Sequence, residues 1–228
     1  MRKQAVAGRL PAIEIDPTAL VVGAQQLGLQ LDALAVDRLV SFGKLMVRWN
    51  AVHNLTAIRS SEEILTHHLL DSLALVPQLA QLTAGRAVRV LDVGAGGGLP
   101  GIPLAITWPQ AQVTMVDAVQ KKVAFITQAQ LELRLANARA IHSRVESLHE
   151  APFDVVTSRA FASLADFVGL TRASIASTGL WLAMKGVEPL EEIAALPDWV
   201  RVLKVIQLKV PGLDESRNLV VMQPVSEA

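Results

Sequence analysis

Two acidic residues and a run of glycines set the chemistry that this chain can offer. Residues 88–104 read VRVLDVGAGGGLPGIPL. Val88, Val90, Leu91 and Val93 predict a buried parallel strand, and Pro100 stands where a helix would start, with Ile102, Leu104 and Ala105 facing back onto the sheet. Between them lie Gly94, Gly96, Gly97, Gly98 and Gly101, five glycines in eight residues. A strand, a glycine turn and a helix N-terminus form a pocket where a ligand can approach the backbone closely. A bare surface turn would carry the entropic cost of those glycines without return. The second acid, Asp117, follows VTMV at the carboxyl end of the next strand, beside the point where open α/β sheets bind ligands. It could accept both hydroxyls of a ribose or cap a helix starting near Val119, and the first role is favoured.

Two nucleoside cofactors fit this arrangement. Gly96-x-Gly98-x-x-Gly101 matches the dinucleotide fingerprint, with Asp117 at a suitable distance. Asp92-x-Gly94-x-Gly96-x-Gly98 matches instead the acidic-plus-glycine loop of S-adenosylmethionine (SAM) methyltransferases. In dinucleotide enzymes the first glycine comes directly off the strand. Here Asp92 and Gly94 take that place, and counting from Gly94 puts Leu99 at the third glycine. SAM is therefore favoured, and an NAD-dependent oxidoreductase is the alternative enzyme.

The acceptor is narrowed by what is missing. Ser158-Arg159-Ala160-Phe161 ends a predicted strand where cofactor and acceptor would meet. It lacks the Asn/Asp-Pro-Pro-aromatic sequence that grips an exocyclic amino group. The chain has no cysteine, which excludes the thiolate attack needed for pyrimidine C5 methylation. What remains is an acceptor already nucleophilic, such as guanine N7, methylated in line without a general base. Arg159 reads as a cation that positions the cofactor carboxylate, the acceptor or a phosphate. Glu146, in SRVESL, could be simply an acid in the first turn of a helix. No catalytic acid or base is assigned. His67 and His68 sit mid-helix with neither a zinc partner nor a serine triad, so no metal is expected.

The elements that must position these groups alternate from residue 88 onward. Strands are predicted at Gln112–Val116, Ala138–His142, Phe153–Ser158 and Gly179–Met184, with helices at Lys121–Leu133 and Ser163–Ala173. Beyond Lys185-Gly186 the segments Val200–Val210 and Leu219–Met222 flank a Pro211-Gly212 turn too short for a crossover helix, which forces antiparallel pairing. The fold class is thus α/β, a mostly parallel seven-stranded Rossmann-like sheet finished by an antiparallel hairpin. Residues 16–84 read as a helical segment packed on the 85–228 domain, after a loose tail at 1–15. Asp16-Pro17 and Asp32 start two helices, Gly28 stops the first, and Ser60-x-x-Glu63 opens a third that Pro77 ends. WNAVHNLTAIR, 49–59, reads as a connecting loop, although Trp49, His53, Asn54 and Arg59 offer an aromatic surface and hydrogen-bonding groups.

Composition sets the outer bounds. Of 228 residues 51% are hydrophobic, enough for a sizeable core, and 21 basic residues balance 21 acidic ones. RNA binding would therefore need a local basic patch. The absence of cysteine fits a reducing cytoplasm. No apolar run is long enough to span a bilayer or to serve as a signal peptide, so no membrane association is expected.

LDVGAGGGLPGIPLAI, VTMVDAVQKKVAFI, SRVE, SRAFASL, MKG and RNLVVM, preceded by WNAVHNLTAIR and HHLLDSL, together resemble the bacterial small-subunit rRNA guanine-N7 methyltransferase family RsmG, also called GidB or glucose-inhibited division protein B. The resemblance covers roughly residues 30 to 224. It implies a class I SAM-dependent enzyme that methylates N7 of one guanine (guanine 527) in 16S rRNA, with 16S rRNA or the 30S subunit as partner and a monomer as the working form. It makes Gly94 and Leu99 cofactor contacts in the glycine loop, Val145 and Glu146 the pair beside the adenine, and Arg159 a basic cofactor-site residue. Asp92, Gly96 and Asp117 complete the cofactor set. Asn54, Arg59, His68, Lys185 and Arg217 are the candidate RNA contacts, Arg217 reading on its own as a loop charge. The family has Arg-His where this chain has His67-His68, which lowers the charge of that helix. A non-catalytic RNA-binding or ribosome-assembly factor with the same fold is the alternative outside enzymes.

Overall fold

The structure, a computed structural model, describes residues 14–53, 60–159 and 161–225. β1 (Arg89–Val93), β2 (Gln112–Asp117), β3 (Ala138–His142), β4 (Phe153–Ser158) and β5 (Ile175–Lys185) form the parallel part of one sheet, and β6 (Val200–Gln207) and β7 (Asn218–Pro224) complete it. The order is β3-β2-β1-β4-β5-β7-β6. The sequence reverses direction at β1, and that reversal places the pocket at the carboxyl ends of β1, β2 and β4. β7 runs antiparallel between β5 and β6, with Lys185 opposite Asn218 and Gln207 opposite Asn218. β3 and β6 are the edge strands, and the exposed Arg201 and Lys204 of β6 discourage pairing with another chain.

Helices cover both faces. α6 (Gly101–Thr107) and α7 (Gln120–Glu132) lie on one side with the helical segment α1 (Pro17–Gln26) and α2 (Ala33–His53). One apolar cluster runs from Leu39, Phe42 and Met46 through Leu69 and Leu73 to Ile102, Met115 and Phe125. On the other face Leu91, Val156, Phe167 of α8 (Leu164–Thr171) and Trp181 pack together. Trp181 is fully buried, and its indole N–H donates to Thr171 Oγ1 at 2.8 Å. Among the described residues no helix is long and apolar enough to cross a membrane.

The expected caps form. Asp16 accepts from the Thr18 amide at 2.8 Å, Asp32 from the Ala35 amide at 2.7 Å, and Ser60 with Glu63 makes a reciprocal capping box. Other boundaries move. Residues 49–53 continue α2 rather than starting a loop, because Trp49 packs edge-on against Phe125 at 5.4 Å and donates to Gln128 at 3.2 Å. Pro77 does not end the third helix. After α3 (Ser61–Ile64) come a π-helical turn (Leu65–Leu70), α4 (Asp71–Leu73) and, past a break at Ala74, α5 (Leu75–Leu82). Pro77 thus falls in the first turn of α5, where a missing amide hydrogen leaves no bond unmade. β5 begins at Ile175, earlier than its apolar core suggests, and β6 stops at Gln207, where the Leu208 amide turns to Arg217 O. A short helix, α9 (Leu190–Ala194), went unanticipated because it buries none of its residues and so carries no apolar stripe. Residues 1–13 of the expected tail lie outside the described residues, and Ile15 is buried in the core.

Candidate active site

Strand register brings the site together. Asp92 stands level with Met115 of β2 and Thr157 of β4, and Asp117 stands level with His142 of β3. The glycine loop, Asp117, the turn after β3 and Arg159 therefore all leave the same edge of the sheet. Val116 O accepts from both the Gly94 and Ala95 amides, at 2.9 and 3.2 Å, which folds the loop back across β2. Gly94, Gly96 and Gly98 have φ of +66°, +56° and +73°, the left-handed region that side chains disfavour. Gly101 is required for a different reason. A Cβ there would lie 2.5 Å from Met115 Cγ and 2.8 Å from Asp92 Oδ2, so only glycine lets α6 start this close to the sheet.

The two acids do different work. Asp117 is buried, and its Oδ2 accepts from the Gly96 amide at 2.9 Å while Oδ1 accepts from the Val119 amide at 2.8 Å. It thus ties the glycine loop to the turn that leads into α7. The N-cap of that helix is Val119, and no side chain caps it, so Asp117 does not take the capping role raised from sequence. Lys122 Nζ lies 3.7 Å away. Asp92 is fully buried beneath the loop. Its Oδ2 accepts from the Gly101 amide at 2.9 Å, and its Oδ1 has no hydrogen-bond partner. Burial pushes the Asp92 carboxyl up to about 7, opposed by the Gly101 amide and the nearby Arg159 charge.

Arg159, just beyond β4, is held from the helical segment. Its Nη1 donates to His67 O at 3.0 Å and lies 3.3 Å from Asp71 Oδ2. Asp71 Oδ1 in turn accepts from Arg217 Nε at 3.0 Å. His68 is 5% exposed, and its Nδ1 is 2.9 Å from His67 O. A carbonyl oxygen can only accept, so Nδ1 carries the proton there, and the 3.5 Å approach of Arg159 to that atom is a packing contact. Burial, reinforced by Arg159, lowers the His68 pKa to about 4.

The remaining sequence candidates fall into two groups. Leu99 and Val145 are buried walls, and Gly94 and Glu146 are exposed at the rim. Of the candidate RNA contacts, His68 is interior rather than on the surface. Lys185 is ion-paired with Glu192 at 2.8 Å and donates to Phe161 O. Arg217 is occupied by Asp71, Glu215 and Ser216 O. All three serve internal bonds: His68 to the carbonyl of the residue before it, Lys185 to an acid in the short helix that follows, and Arg217 to Asp71, which the linear sequence places far off. Asn54 and Arg59 lie outside the described residues. Among the described residues no group of three or more ligating side chains could hold a metal. Sequence reasoning assigned no role to Asp71 or Glu192. For Asp71 the signal was present: an acid among Leu69, Leu70 and Leu73 on one helix needs a buried partner.

A family model described as rRNA small subunit methyltransferase G matches residues 35–220. The chain is 50% identical over 213 residues to a protein of Leptothrix cholodnii named "Ribosomal RNA small subunit methyltransferase G", covering 93% of this chain and 98% of that one. A protein of the same name from Ralstonia nicotianae is 53% identical over 209 residues, covering 90% and 94%. Among solved structures, a SAM-dependent methyltransferase from Aquifex aeolicus superposes with a TM-score of 0.51 at 17% identity, covering 67% of this chain and 92% of that one, a likeness of fold.

Proposed function

The chain belongs to the rRNA small subunit methyltransferase G family and is a SAM-dependent methyltransferase of small-subunit ribosomal RNA; we propose that its acceptor is N7 of guanine 527 in 16S rRNA. The observation that supports this reading is that, among the described residues where β4 ends, the acid and the cations are already bonded to one another. Arg159 is a cation there, and the two Asp71 oxygens each face a guanidinium group, that of Arg159 and that of Arg217. A ring nitrogen such as guanine N7 presents its lone pair without losing a proton, so this site suits it and suits an exocyclic amine poorly.

The residues present fit SAM. The loop holds its backbone in conformations that glycine alone adopts readily, which lets a nucleoside lie close against it. The unpartnered Asp92 Oδ1 supports a cationic ligand, since a buried carboxylate oxygen without a donor is costly. Asp117 would hold the ribose, Val145 and Glu146 would flank the adenine, Gly94, Gly96 and Leu99 would line the loop side, and Arg159 would meet the carboxylate of the methionine part. Bound SAM supplies an electrophilic methyl group. The protein aligns the acceptor with it, a contribution that can reach about 7–11 kcal/mol of the barrier. Methylation leaves the guanine ring positively charged, and a carboxylate buried beneath the loop suits that charge better than another cation would.

The proposal takes the enzyme to act as a monomer in the cytoplasm, on 16S rRNA or the assembled 30S subunit. Transfer of labelled methyl from SAM to 30S particles and to naked 16S rRNA tests it. Incorporation into either substrate is expected, with the label in guanine. Label elsewhere, or none into either substrate, refutes the reading. A thermal-shift comparison should show stabilisation by SAM and none by NAD.

A further inference from the structure

We infer that Asp71 is a positioning residue for methyl transfer, aiming Arg159 at the carboxylate of the bound cofactor from outside the sheet domain. The inference rests on the reading of Arg159 as a cofactor contact. Asp71 belongs to the helical segment, in a short helix directly after a π-helical turn, yet its side chain is 4% exposed and reaches both Arg159 and Arg217. π-turns cost regular hydrogen bonding and tend to sit where a side chain or carbonyl must be re-aimed. Here the turn supplies His67 O to Arg159 Nη1, and Asp71 follows it to meet the same nitrogen.

The geometry divides the guanidinium in two. Among the described residues Arg159 donates through Nη1 alone, and its side chain stays 26% exposed. One edge is thus clamped by Asp71 and His67 O, while Nε and Nη2 remain for an anion. An arginine fork matches a carboxylate through two parallel N–H groups, so its orientation decides how well it binds. Arg217 secures the clamp from behind. It is bonded to Glu215 and Ser216 O as well as to Asp71, which leaves Asp71 little freedom to turn away. The helical segment would in this way take part in cofactor binding through Arg159.

The test compares SAM with 5′-methylthioadenosine, which keeps the adenosine and lacks the carboxylate. Calorimetric dissociation constants would be measured for wild type, Asp71→Asn, Arg159→Ala and the double variant. Asp71→Asn should weaken SAM about tenfold, the scale of one charged hydrogen bond, and leave methylthioadenosine unchanged. It should weaken SAM no further once Arg159 is alanine. If Asp71→Asn fails to fold, Asp71→Asn with Arg217→Gln removes the buried acid and one cation together and should give the same ligand contrast. Wild-type SAM affinity, equal loss for both ligands, or full loss persisting without Arg159 would overturn the role of Asp71. If Arg159→Ala itself leaves SAM affinity intact, the cofactor role of Arg159 fails instead.

Discussion

At the scale of single residues, the site depends on three buried or half-buried charges whose environments differ. Asp117→Ala should weaken SAM binding by at least about tenfold, because it removes both the ribose acceptor and the carboxylate that holds the Gly96 amide. Unchanged affinity would remove Asp117 from the site. Asp92 gives a pH signature. Its carboxyl sits near 7 in the folded protein against an ordinary 3.8, so between about 4 and 7 the unfolded chain has released a proton that the folded state keeps. Stability from this group therefore falls as pH rises through that window and is flat above it. His68 acts in the opposite sense. Its pKa is about 4 against 6.5, so stability rises with pH across that interval. Asp92→Asn separates the two: melting temperature relative to wild type should be higher at pH 8 than at pH 4, by about 5 °C. An equal offset at both pH values would contradict it. That Asp92, Asp117 and Arg159 stand at or just past the carboxyl ends of strands could be read from the sequence. The partners of Arg159 could not, because Asp71 and the His67 carbonyl lie 88 and 92 residues away along the chain, and only folding brings them together.

At the scale of elements, the strand-loop-helix unit is tightly specified. Gly101→Ala should cost about 1–3 kcal/mol and reduce SAM binding, because the added methyl meets the Met115 side chain and Asp92 within 3 Å. Gly169→Ala, in α8 with nothing within 4 Å and no positive φ, should instead stabilise by up to about 1 kcal/mol. Denaturant titrations of the two variants check both signs. Strands buried on both faces were easily read, because apolar β-branched runs bounded by Gly, Asp or Ser have few other outcomes. Helix boundaries near Trp49 and Pro77 were not. A tryptophan in a polar stretch says nothing of the Phe125 face waiting for it, and a proline marks a helix end or a helix first turn equally well. The exposed α9 carried no periodic signal at all.

At the scale of the whole molecule, the helical segment and the sheet share one core. Leu39, Phe42 and Leu69 pack in the same cluster as Ile102 and Phe125, and Asp71 connects the segment to the end of β4 and the loop before β7. Calorimetry should therefore show one unfolding transition, shifted upward by SAM as a whole; two separable transitions would contradict a shared core. The net charge of zero offers no general attraction to RNA, and several inward-facing basic residues are already paired, so substrate choice rests on the site rather than on bulk electrostatics. The central claim, guanine N7 methylation of small-subunit rRNA, is tested most directly by a mass-spectrometric nucleoside map of 16S rRNA. The RNA should come from cells without the gene, before and after treatment with purified enzyme and SAM. A single new 7-methylguanosine, at guanine 527 and absent with Arg159→Ala, is the predicted result. A map unchanged by the active enzyme, or a methyl group on another atom or base, would contradict it.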